Sequence, residues 1–188
     1  YGDAHEHNFD HMDTPKVGAQ YLQDGIFYAQ GMTDTTTGPK EIVAKGLVNT
    51  PQTVDVTYAH GCLTGVNGHP VEIYESLANG FYYPQTEAQR ALVIGGRKME
   101  GLAFWQIDSL GTLQKKWPEI VASKPDLIKI ILSDSEHFKP ATVQDPQLGK
   151  GIDPALVPAI VSLAHAAGLK VAAHIDTSFD FHVAVTAG

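Results

Sequence analysis

The sequence predicts an α/β fold in which parallel strands are joined by crossover helices, and three observations carry that prediction. Strand-like segments alternate with helical ones along the chain, with Gly or Pro at most junctions. The segment Asp126-Leu127-Ile128-Lys129-Ile130-Ile131-Leu132 is apolar on both faces except for one lysine, as in a strand covered on both sides. Residues of ligand type, His5, His7, Lys129 and His174, fall towards the C-terminal ends of their segments. A doubly wound open sheet and a β/α barrel both fit the alternation. The placement of the unusual residues favours the barrel, whose chemistry sits on the rim at the C-terminal strand ends.

Taken in order, the chain opens on an extended stretch, Tyr1-Gly2-Asp3-Ala4-His5-Glu6-His7-Asn8-Phe9. Thr14-Pro15 starts a helix reaching Leu22, with Pro15 suited to the first turn, and Gly25 ends it. A second strand is expected over 26–30, a helix over 40–48 after Gly38-Pro39, and a third strand over 53–59. Residues 62–84, with Gly65, Gly68, Pro70 and Gly80 among several aromatics, are expected to form a long loop of the kind that carries function. Helices follow over 85–99 and 109–123, the second with Pro118 as a point of kinking. The fourth strand spans 126–132, and a polar loop fills 133–151. Asp153-Pro154 caps a helix that ends near Gly168, a fifth strand covers 169–175, and a last helix begins at Phe179.

Composition narrows the class of protein. A chain of 188 residues can bury a sizeable core and is expected to form one domain, 1–188. Its formal charge of −8 comes without a basic cluster, which argues against nucleic acid as a partner. No apolar run is long enough for a bilayer, so no membrane partner is expected. One cysteine, Cys62, excludes an intramolecular disulfide and a Cys-rich zinc site, and leaves cytoplasm and periplasm open. The chain begins on a strand at Tyr1 rather than at a methionine, so its N-terminus is expected to be truncated.

The chemistry-bearing residues are few. His5 and His7, two apart on a strand, project from the same side, and paired neutral imidazoles suit a borderline cation such as zinc. Lys129 stands in an apolar strand, where an ammonium is costly to desolvate and its pKa should fall. His174 ends Lys170-Val171-Ala172-Ala173-His174, where Ala172 on the same face leaves room for an ion.

Together these segments resemble the amidohydrolase superfamily of metal-dependent β/α-barrel hydrolases. Asp3-Ala4-His5-Glu6-His7 is similar to the family's first-strand motif, and Asp126-Leu127-Ile128-Lys129-Ile130 to its fourth strand. Gly168-Leu169-Lys170-Val171-Ala172-Ala173-His174 is similar to its fifth strand. Tyr58-Ala59-His60-Gly61 through Asn67-Gly68-His69-Pro70 resembles the third strand and following loop of the imidazolonepropionase-like and prolidase-like branch. The resemblance implies a TIM-type (β/α)8 barrel of which about five βα units are present, so that 1–188 is a partial barrel domain. A sixth-strand histidine and an eighth-strand aspartate, expected in the family, have no counterpart.

The same resemblance implies a site. His5 and His7 would hold one divalent ion, most simply zinc, and His174 a second. Lys129 would bridge as a carbamate formed with carbon dioxide and would count as the catalytic residue. By their positions His60, His69 and His137 are expected to contact substrate, and Tyr28 and Met32, near the second-strand rim, either to line the pocket or to pack in the core. The implied function is metal-activated water attacking an amide or cyclic-amide C–N bond of a small or peptide-like substrate. The alternatives are a non-catalytic metal- or ligand-binding α/β protein, or a barrel fragment needing the rest of its chain. Expected partners are therefore the remaining part of its own barrel or further copies in a homo-oligomer. His11, His165 and His182 are expected to be solvated or structural.

Overall fold

The computed structural model describes residues 1–10, 13–35 and 43–188. His11 and residues 40–42 of the helix expected over 40–48 lie outside these; of the rest, 43–45 are helical and 46–47 form a turn. Seven strands and six α-helices alternate among the described residues: β1 (Gly2–Glu6), α1 (Thr14–Gln23), β2 (Tyr28–Gly31), β3 (Asp55–Tyr58), β4 (Cys62–Thr64), α2 (Val71–Ala78), α3 (Glu87–Val93), β5 (Phe104–Gln106), α4 (Leu110–Ala122), β6 (Leu127–Ile131), α5 (Val157–Ala166), β7 (Lys170–His174) and α6 (Ser178–Ala187).

All strand pairs are parallel. One sheet has the order β1-β2-β3 and the other β5-β4-β6-β7. The chain joins them by turning between β3 and β4, where His60 takes a left-handed backbone conformation (φ 58°) ahead of Gly61. The sheets also meet directly: Asp126 N–H donates to the Tyr58 carbonyl at 2.8 Å, and Tyr58 N–H donates to the Asp126 carboxylate at 2.8 Å. The aspartate ahead of β6 therefore ties the two halves together.

Five strands were expected and seven are found. β4 and β5 have three residues each, too short to display any periodicity. The 62–84 stretch is accordingly not one long loop, because it contains β4 and the eight-residue α2. The helix expected over 85–99 shrinks to Glu87–Val93, opened by a capping box between Thr86 and Gln89. Pro118 does not split α4: the helix runs unbroken past it, and the proline lies on an exposed face. The cap at Asp153 is as expected, its carboxylate accepting from Ala155 N–H at 2.9 Å, with a short 3₁₀ turn (Pro154–Leu156) leading into α5.

β6 is buried along its whole length, which accounts for its unbroken apolar character. Ile128, Ile130 and Leu132 pack with Leu113 and Ile120 of α4 and Val157, Ile160 and Val161 of α5 in the main core. A second core of Phe9, Ala29, Val48, Val54, Val56 and Tyr58 supports the β1–β3 side. No helix among the described residues is long and apolar enough to cross a membrane.

Candidate metal centre

Two strand registers decide which side chains can meet. In the β6–β7 ladder Lys129 lies opposite Ala172 and Ile131 opposite His174, so Lys129 and His174 share a face and sit on a diagonal. The small side chain of Ala172 leaves the space between them open. The end of β1, in the other sheet, delivers His5 and His7. The result is a cavity of about 300 Å³ lined by His5, His7, His69, Lys129 and His174, with an apolar wall that includes Pro70, Ile73, Tyr74, Tyr82 and Ile131. A larger hollow of about 510 Å³ lies over β1, β2 and β3, and it gathers none of these imidazoles.

His5 at the end of β1 and His7 just beyond it face one another, Nε2 to Nε2 at 3.1 Å. In that contact one ring donates and the other accepts, according to tautomer. The spacing also suits a shared cation: two nitrogens each about 2.0–2.1 Å from one tetrahedral ion stand about 3.3–3.4 Å apart. Burial lowers the pKa of both rings, and the Lys129 ammonium adds to this; at His5 the neighbouring His7 and His174 contribute as well. The lone pairs a cation needs are thus available near neutral pH.

Lys129 is 2% exposed and its pKa is lowered by desolvation. No hydrogen bond or ion pair to its ammonium occurs among the described residues, so the charge has no carboxylate to offset its burial. The donor set of three imidazoles and one amine without a carboxylate beside it among the described residues is compatible with a cation site. It does not fit a structural salt bridge.

His69 joins the cavity from the loop ahead of α2. Its ring centroid is 5.4 Å from that of His174, and its Nδ1 lies 2.7 Å from Glu72 Oε1. Two glycines let this loop pass close to the 149–151 segment. A Cβ on Gly65 would stand 2.3 Å from the Gly151 carbonyl oxygen, and one on Gly68 would stand 2.4 Å from that of Lys150. His69 N–H donates to the same Lys150 carbonyl at 2.8 Å.

Other expected residues lie elsewhere. His60 is not among the lining residues; its backbone N–H donates to Asp34, its ring approaches Ser123 Oγ at 3.4 Å, and burial depresses its pKa to about 4. His137 sits on an exposed turn beside Asp134, whose carboxylate raises its pKa, and with Glu136 these form an acidic surface group. Tyr28 is exposed over the larger hollow, and Met32 is buried with Ala59 and Leu127, so neither lines the imidazole cavity. His165 and His182 are exposed on α5 and α6. The apolar wall and Glu72 were missed. Tyr82 belongs to no periodic pattern, while Glu72, three residues after His69 at a helix start, was the one signal available in the sequence.

No family model matches this sequence, and no curated protein matches it either. Among solved structures it is similar to A. niger ochratoxinase, with a TM-score of 0.63 at 16% identity. It is also similar to a Xaa-Pro dipeptidase solved with methionine bound in the active site (0.62, 14%) and to an amidohydrolase (0.58, 20%). In each case 100% of this chain is covered, and it spans 45% of the other chain. In its fold, then, the chain is similar to the amidohydrolase-type hydrolases over somewhat less than half of their length.

Proposed function

We propose that this chain forms the metal-binding side of a hydrolase acting on amide-type C–N bonds, within a (β/α)8 barrel to which it contributes the early strands. The observation carrying this reading is the convergence of His5, His7, Lys129 and His174 on one cavity, in a fold whose solved neighbours are hydrolases. His5 and His7 would hold one divalent ion, with zinc the best match to imidazole ligands, and His174 would hold a second. When bound, such ions supply a water of lowered pKa and polarise a carbonyl.

The chain's own residues set the conditions for this. The desolvated Lys129 amine is nucleophilic when neutral. Its Nζ forms a bond to the carbon of carbon dioxide and releases a proton, leaving a carbamate that can bridge two cations. Carboxylation thereby removes the buried positive charge that no carboxylate among the described residues offsets. The Pro70, Ile73, Tyr74 and Tyr82 wall excludes water and provides a surface for the apolar part of an amide or peptide-like substrate.

The barrel reading is supported by the far edge of the sheet. Ile175, Phe181 and Val185 are 43%, 51% and 61% exposed beside a hollow that Val171 and Ala173 also line, and β7 pairs on one side only among the described residues. Further strands of the same barrel are the partner this surface fits.

Elemental analysis of protein purified without chelator and then supplemented with zinc tests the proposal. About one or two equivalents are expected, with hydrolysis of members of a panel of N-acyl amino acids, dipeptides and cyclic amides. Less than about a tenth of an equivalent of any transition metal refutes it. Lys129→Ala should lose metal and activity, and acetate or propionate should partly restore both by replacing the bridging carboxylate.

A further inference from the structure

Glu72 is a carboxylate with one task. It sits in the first turn of α2, where the helix N-terminus favours negative charge, and its side chain is 13% exposed. Oε1 takes the single hydrogen bond that this carboxylate makes among the described residues, to His69 Nδ1 at 2.7 Å, and Oε2 is buried without a partner. A carboxylate held this way is poor value for stability, since an apolar residue of similar size would avoid its desolvation. What it does provide is control of the ring beside it.

We propose that Glu72 is the positioning residue for His69, and that His69 is thereby a substrate-contact residue with a defined hydrogen-bonding sense. An imidazole whose Nδ1–H donates to a carboxylate is fixed in the tautomer that leaves Nε2 with its lone pair. His69 Nε2 has no partner among the described residues, and the ring lines the cavity next to His174. With Nδ1 engaged, the nitrogen left for a ligand is an acceptor, which suits the N–H of an amide rather than its carbonyl oxygen. The hold on this ring is threefold: Glu72 from the helix, the Lys150 carbonyl on its backbone N–H, and the close approach at Gly68. This inference rests on the amide-hydrolase reading for the identity of the ligand, but the Glu72–His69 coupling stands apart from it.

The test uses protein with ¹⁵N-labelled histidine, the His69 signal being identified by its loss in His69→Asn. The expected result is the Nδ1–H tautomer in the unmodified protein, its retention in Glu72→Gln, whose amide oxygen still accepts, and a change towards Nε2–H in Glu72→Leu. A wild-type Nε2–H tautomer, or a tautomer indifferent to Glu72→Leu, overturns the proposal. The melting temperature of Glu72→Leu should stay within about 3 °C of the parent. A larger fall would make the carboxylate structural and overturn the proposal. With zinc and an amide hydrolysed in the panel, kcat/KM of Glu72→Leu should fall about tenfold or more at unchanged zinc content. The same substitution in the His69→Asn background should cost nothing further. An additional loss there would show that Glu72 acts by another route. Failure to bind zinc or hydrolyse any amide would sink the metal reading, and the tautomer result would still decide the coupling.

Discussion

Lys129→Met separates function from stability in a single residue. Lys129 is 2% exposed between Ile128 and Ile130, each 1% exposed, and its ammonium meets no carboxylate among the described residues. Keeping an ion in such surroundings costs several kcal/mol after relaxation. Met matches the length of the lysine stem and needs no solvation, so in metal-free protein with carbon dioxide excluded it should be stabilising by about 1–3 kcal/mol. At about 2–4 °C per kcal/mol for a chain of this size, the melting temperature should rise by about 2–12 °C. The difference should depend on pH. Because desolvation lowers the folded-state pKa from its usual 10.5, the unfolded chain holds a proton that the folded chain lacks between the two values. Wild-type stability therefore rises with pH through that window, and the advantage of Met shrinks. The same variant should lose bridging-metal binding, and Lys129→Arg should lose it too without the gain in stability, since guanidinium stays charged. Calorimetric melts across pH, paired with zinc titration, provide the assay. A Lys129→Met protein that melts lower than wild type while metal-free would show that the ammonium is already paired, and the reasoning from uncompensated burial would fail.

Three further outcomes are expected. Gly65→Ala should be destabilised by about 1–3 kcal/mol, because a Cβ 2.3 Å from the Gly151 carbonyl oxygen forces one backbone to move; an unchanged urea midpoint would contradict the close approach. Burial alone would raise the pKa of Asp180, but backbone N–H donors at Ser135, Asp176 and Thr177 bring it down to about 2. Its contribution is present above about pH 4 and lost as pH falls towards 2, and Asp180→Ala should cost about 1–3 kcal/mol at neutral pH with a weaker acid dependence. The 188-residue chain expressed alone should self-associate through its Phe181–Val185 face; a monomer in sedimentation at all concentrations would remove the case for a covering partner.

Features that depend on neighbours in sequence could be read from the sequence. A period of two placed His5 and His7 on one side of a strand, and an unbroken apolar run marked β6 and made Lys129 conspicuous. Caps at Asp153 and Gly168 (φ 74°) framed the helical stretch before β7, since each is set by its own backbone. Sequence patterning could not show that a further strand, β4, starts directly after the turn at His60 and Gly61, because that turn is held from outside, by Asp34 on the His60 N–H and Asp126 on the Tyr58 N–H. The same turn takes His60 away from the cavity, although its place in the sequence matched that of a rim residue. The Gly65–Gly68 loop delivers His69 instead, clamped against a segment more than eighty residues later. The histidine spacing, the lysine in an apolar run and the alternation of strands with helices were local facts of composition and periodicity. Which imidazoles share a cavity was decided by hydrogen bonds and close approaches between distant segments, which leave no periodic trace in the chain.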